Sequence, residues 1–144
     1  EPIRISQINY SLAHSSVETF GDNTLVCMDT KEFRWYKKHD FPVMAFSPQA
    51  KGFFAKLAKG DAANNLPEGQ YAGPANLARL AKVKQLSEQT GDTPAKITLG
   101  YLNSQPFFVS SVFAVTKLLQ LDEDMEAQDL TYDPKTVAFL ENMI

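Results

Sequence analysis

An unbroken apolar run, Val43-Met44-Ala45-Phe46, passes directly into Ser47-Pro48. A short continuous apolar run closed by a turn signal reads as a strand buried on both faces, the kind that parallel sheets contain. Parallel strands deliver side chains to a ligand at their carboxyl ends. The residues that follow suit a flat, polar ligand: Phe46 offers a ring face, Ser47 a hydroxyl, Lys51 a cation and Gly52 close backbone approach. Taken alone, the same residues describe a core strand and its turn equally well. The arrangement of the rest of the chain decides between them.

On the amino-terminal side, residues 3–10 alternate apolar and polar side chains with β-branched residues on one face, which predicts a strand. Gln7 and Asn9 share the face opposite Ile8, as structural groups or as ligand contacts. Residues 11–29 carry loop chemistry around Leu25-Val26-Cys27. A helix is predicted over residues 30–40, capped by Asp29 or Thr30, with Phe33, Trp35 and Tyr36 anchoring it on a sheet and His39 at its carbonyl end.

After the central run, residues 55–73 are rich in Gly, Ala, Asn and Pro and read as a long loop. Pro74 opens a helix that stops at Gly91, with Leu77, Leu80, Ala81, Lys84 and Leu86 as its inward stripe. Thr93-Pro94 restarts a helix that ends at Gln105-Pro106. Residues 107–114 predict a third strand, residues 116–127 a helix, and Asp133-Pro134 the start of a terminal helix. Strands alternating with helices call for an α/β fold with a parallel sheet, as one domain over residues 1–144. An open sheet of about three strands leaves backbone groups unpaired on its edges. The pattern therefore predicts that something else completes the sheet, a further half of the same fold or a second copy.

Composition excludes several classes. A net charge of −3, with Lys and Arg scattered, gives no electrostatic basis for nucleic acid. No apolar run approaches the ~20 residues of a membrane span, and no signal peptide is evident. Cys27, the sole cysteine, excludes an internal disulfide framework, fits a reducing cytoplasm and reads as a buried, inert thiol. With only His14 and His39 as further soft or imidazole ligands, no metal site is expected. The chain starts Glu1-Pro2 without an initiator Met, as expected of a processed chain or a piece of a longer one.

Several motifs resemble the carboxyl-terminal half of the aldo-keto reductases, (β/α)8 TIM barrels that use NADPH. The family's sixth strand ends in a pattern similar to Gln7-Ile8-Asn9-Tyr10, and its seventh resembles Ala45-Phe46-Ser47-Pro48-Gln49-Ala50-Lys51-Gly52. Its next helix pair resembles Leu86 through Gly91 and then Thr93 through Tyr101. Its eighth strand and cofactor-phosphate loop resemble Gln105 through Lys117, and its adenine-side helix resembles Leu119-Gln120-Leu121-Asp122-Glu123-Asp124. The resemblance covers essentially the whole chain and implies a partial barrel with covering helices.

It also implies roles. Gln7 would hold the nicotinamide end and Phe46 would stack on the ring. Ser47 and Gln49 would line the pyrophosphate path. Thr116, Lys117 and Gln120 would face the 2′-phosphate, and Glu123 and Asp124 would lie near the adenine. Residues 53–73 would cover part of the cofactor. Three positions depart from the family's pattern: Ala114 stands for Gly, Gln49 for Leu and Asp124 for Asn.

The family's proton-donating Tyr and its Asp, Lys and His partners have no counterpart in these residues, and no tyrosine here sits in the matching context. Two functions follow. The chain is the NADP(H)-binding portion of an oxidoreductase that reduces carbonyls to alcohols, inactive by itself, with its acid–base residues in an amino-terminal half. Alternatively it is a non-catalytic half-barrel, a self-associating or regulatory binding module, a reading that the three departures motivate.

Overall fold

The computed structural model describes residues 2–60 and 71–141. Their sheet has three parallel strands, β1 (Ser6–Asn9), β2 (Val43–Phe46) and β3 (Val109–Val112), in the order β1-β2-β3. Between them run α1 (Val17–Phe20), α2 (Thr30–His39), α3 (Phe53–Ala58), α4 (Pro74–Thr90) and α5 (Pro94–Asn103), and α6 (Leu118–Glu126) and α7 (Pro134–Glu141) follow β3. The result is α/β architecture corresponding to part of a (β/α)8 barrel.

Local chemistry sets most helix ends. Asp29 Oδ1 accepts the N–H groups of Lys31 and Glu32 at 2.7 and 2.8 Å and starts α2. Thr93 Oγ1 accepts the Lys96 N–H, with Pro94 in the first turn of α5. Asp133 Oδ1 accepts from Lys135 and Thr136 to start α7. Gly91 ends α4 at φ 81°, in the left-handed region that glycine enters without penalty.

Register puts Ile8 beside Ala45 and Val43 beside Val109, on one face of the sheet. Val43 and Ala45 are fully buried there, in a core with Tyr36, Phe53, Phe54, Val83, Ile97 and Leu102 from the helices. The opposite face carries Gln7, Asn9, Met44, Phe46, Ser110 and Val112. Only Asn9 is buried among these, and Gln7 and Val112 are exposed. Helices therefore cover one face alone, as in a barrel whose interior is still open. Both edges are not equally bare. Asn9 pairs with Cys27, its N–H donating to Val26 O and its carbonyl accepting from Met28 N, each at 2.8 Å. The buried Cys27 thus caps the end of β1.

The structure corrects several boundaries. The predicted strand 3–10 contracts to Ser6–Asn9 and 107–114 to Val109–Val112, because only those residues have a paired neighbour. Loops predicted over 11–29 and 55–73 contain α1 and the last part of α3. The remainder of the second loop, residues 61–70, lies outside the described residues. The inward stripe of α4 is Asn76, Arg79, Val83 and Leu86, whereas Leu77, Ala81 and Lys84 face solvent.

Hydrogen bonds explain that rotation. Asn76 Oδ1 accepts from His14 N at 2.9 Å and Arg79 Nη1 at 3.0 Å. Asn76 Nδ2 donates to His14 O at 2.8 Å and Tyr71 O at 2.9 Å. Arg79 Nη2 donates to Glu141 O at 3.2 Å, and Tyr101 Oη to Glu141 Oε1 at 2.6 Å. Two polar residues are buried because together they tie the segment after β1 to α4 and α7. His14 keeps an exposed side, but partial loss of water around its ring, and then the Arg79 guanidinium beside it, lower its pKa to about 4.

Candidate functional site

A cavity of about 570 Å³ opens at the carboxyl ends of β2 and β3, within the size range of small-molecule sites. The loop after β2 supplies Ser47, Pro48, Gln49, Lys51 and Gly52. Phe54, Ala55, Lys56 and Lys59 come from α3 and its end; Pro94, Ala95 and Thr98 come from the start of α5. Residues 112–116 and then Gln120, Glu123 and Asp124 of α6 close the other side.

The loop after β2 is conformationally unusual. Ser47, Ala50 and Lys51 lie at φ 52°, 50° and 56°, and Gly52 follows at 79°. A left-handed conformation costs a non-glycine residue roughly 1 kcal/mol or more, and such residues cluster at ligand sites. Local bonds hold the turn: Ala50 N donates to Ser47 O at 2.8 Å and Gly52 N to Gln49 O at 2.9 Å. At φ 79° Gly52 adopts a conformation that side-chain-bearing residues rarely take, and a Cβ there would meet Lys56 Cε at 3.4 Å, an ordinary contact. Lys51 Nζ lies 5.9 Å from the Phe20 ring centroid, a cation–π approach that links the loop to α1.

Across the cavity, Gln120 Oε1 accepts the N–H groups of Thr116 and Lys117 and the Thr116 hydroxyl, each at 3.2 Å. This side chain fixes the turn between β3 and α6. Asp124 is buried, and Gln49 Nε2 donates to its Oδ1 at 2.6 Å across 75 positions of sequence. Burial, opposed by that bond and reinforced by Glu123, raises the Asp124 pKa. Gln49 and Asp124, which both depart from the expected pattern, are therefore each other's partner.

Of the residues singled out in the sequence, Ser47, Gln49, Thr116, Gln120 and Asp124 line this cavity together. Gln7, Phe46 and Lys117 do not. Gln7 and Phe46 sit on the open face of the sheet, at adjoining strands, and Lys117 is the exposed N-cap of α6. Lys56 and Lys59 lie outside the predicted site because residues 55–73 have the composition of a loop. The signal was present: Phe53, Phe54 and Leu57 are spaced as one helical face, which turns Lys56 away from the core.

No tyrosine lines the cavity. Tyr10, Tyr71 and Tyr101 are buried, and burial pushes the phenols of all three upward. Among the described residues no cluster of His, Cys, Asp and Glu could hold a metal ion, and no helix is long and apolar enough to cross a membrane.

The aldo/keto reductase family model matches residues 2–144. A thermostable aldo-keto reductase solved with the inhibitor epalrestat superposes with a TM-score of 0.64 at 15% identity, over 99% of this chain and 40% of that one. An aldo/keto reductase from Klebsiella pneumoniae, in complex with NADP and acetate, gives 0.60 at 19% identity, over 96% and 38%. Another from the same organism, in complex with NADPH, gives 0.57 at 17%, over 95% and 38%. The chain thus spans about two fifths of the length of these similar structures.

Proposed function

Since the chain belongs to the aldo/keto reductase family, we propose that it is the NADP(H)-holding portion of an oxidoreductase that reduces carbonyls to alcohols. The observation that carries this reading is the cavity at the carboxyl ends of β2 and β3, with Lys51, Lys56, Lys59 and Thr116 on its walls. Lysines and a hydroxyl around a strained backbone turn suit the phosphates of a dinucleotide. When bound, NADPH supplies a hydride. The chain's own contribution is to hold and orient. Lys56, stacked over Gly52, and Lys59 draw phosphate into the cavity, and Gln120 keeps the Thr116 turn in place. Gln7 and Phe46, on the open sheet face, are suited to border the reacting end, where neighbouring structure would exclude water.

The proton that accompanies hydride transfer would come from groups outside this chain, since no tyrosine lines the cavity and burial raises the pKa of Tyr10 and Tyr101. A further part of the same fold, or a second copy, would cover the open sheet face and the free edge of β3. A purely non-catalytic half-barrel shares that uncovered face, so occupancy of the cavity decides between the two readings. The test is a titration of NADPH fluorescence with the protein. Saturable enhancement or quenching that weakens with salt is expected. A folded protein that leaves NADPH fluorescence unchanged at millimolar concentration would contradict the reading.

A further inference from the structure

Away from the cavity, two helices carry outward faces of opposite charge. On α2, Tyr36 is buried and Phe33 packs against the core, so Lys31, Arg34, Trp35 and Lys38 share the face turned from the sheet. All four are exposed, while Glu32, the one acid within α2, is half-buried on its flank. Trp35, the sole tryptophan, is 46% exposed yet held in place. Its ring stacks on His39 at 4.4 Å and meets Phe41 at 5.6 Å. A fixed tryptophan beside an arginine is the composition that interface centres favour. On α6, Asp124 is buried, as is Ala127 at its end, which leaves Leu118, Asp122 and Met125 on the opposite face. Asp129 is exposed in the turn beyond. Leu118 is 79% and Met125 50% exposed. No Lys or Arg lies within α6. Lys96 engages Glu126, and among the described residues Asp122 has no cation.

We propose that the outward face of α2 docks on the outward face of α6 in a second copy of this chain. Trp35 lies against Leu118 and Met125, and the Lys31, Arg34 and Lys38 charges meet Asp122 and Asp129. Length and charge favour this occupant. α2 extends about 15 Å and α6 about 13 Å, so each stripe matches a single helix. The exposed Asp29 and Asp40 close the basic stripe at both ends. A broad anionic surface such as a membrane would press on both, and one acidic helix fits between them. Both faces point away from the sheet, so this contact is separate from any covering of the open sheet face or the free edge of β3.

Trp35 reports on its own face, whatever happens at the sheet. On raising the protein from about 1 to about 100 μM, the range of small interfaces, its emission should move to shorter wavelength and its quenching by acrylamide should fall. Salt should reverse both changes. Neutralising α2 (Lys31→Gln, Arg34→Gln and Lys38→Gln) or the α6 side (Asp122→Asn and Asp129→Asn) should raise the midpoint concentration about tenfold or more. These exposed substitutions leave the fold intact. Mixing the two variants should restore about half of the shift, because only the α6 variant keeps an unaltered α2 face, and its partner keeps an unaltered α6. A Trp35 that stays exposed at every concentration would overturn the proposal. So would a shift that neither salt nor the substitutions weaken, or variants that mixing does not rescue. A shift produced only by anionic phospholipid vesicles, or only by polyglutamate, would overturn it in favour of a membrane or an acidic protein.

Discussion

Two buried polar clusters in this chain are built on opposite terms. Around Asn76 and Arg79, the Asn76 amide makes four hydrogen bonds, two through its oxygen and two through its nitrogen, to groups up to 62 positions away in sequence. At the cavity, Asp124 has one bond and one orphaned oxygen, and the neighbouring loop holds three non-glycine residues in the left-handed region. The first arrangement uses most of its polar capacity, Arg79 Nε excepted, to fasten α4 and α7 to the segment after β1. The second keeps capacity in reserve beside a row of lysines. Polar burial by itself does not mark a site; polar burial left incomplete, next to backbone strain and a cavity, does.

That contrast can be broken by substitution. The largest effect is expected at Asn76. Asn76→Ala strands His14 N, His14 O and Tyr71 O, and should lower unfolding free energy by about 2–3 kcal/mol in a denaturant titration. Dinucleotide affinity per folded molecule should stay within a factor of about two, since Asn76 does not line the cavity. A loss of affinity without a loss of stability would reverse the assignment.

The lysines should behave the opposite way. Lys56→Ala or Lys59→Ala should weaken NADPH binding by about tenfold and flatten its salt dependence, with a stability change within about 0.5 kcal/mol. Calorimetric melting and fluorescence titration of the same sample measure both.

Smaller still is Asp124→Asn. With the folded-state pKa raised, the ionised carboxylate disfavours folding once pH exceeds that value, so its removal should raise Tm at neutral pH. A lowered Tm would mean that Asp124 is fully satisfied and the contrast false. An effect confined to acid pH is assigned to His14. Its pKa falls from 6.5 to about 4 on folding, so the unfolded chain binds the extra proton between those values. Stability present above 6.5 should decline as pH falls toward about 4, and His14→Gln should blunt that decline.

The order of elements, α1 and α3 excepted, was legible in the sequence because it rests on local chemistry. Asp29, Thr93 and Asp133 act on N–H groups two or three residues away, and Val43 through Phe46 are apolar without interruption. The stripe on α4 was misread by one position, since Leu77 looked inward by hydropathy while Arg79 is buried by partners in distant segments. The site was half legible. Ser47, Gln49, Thr116, Gln120 and Asp124 carry recognisable motif positions, but the bond between Gln49 and Asp124 joins loops that meet only in the folded chain. Phe46 and Gln7 illustrate the same limit: strand registry puts them on one face, and only the sheet reveals that this face is open.

The account stands on the cavity being the seat of the dinucleotide. The most direct measurement is a crystal structure of the protein with NADP+. It should show phosphates within reach of Lys51, Lys56 and Lys59. NADP+ bound only on the open sheet face, or only against the Asn76–Arg79 cluster, with the cavity holding solvent alone, would contradict it.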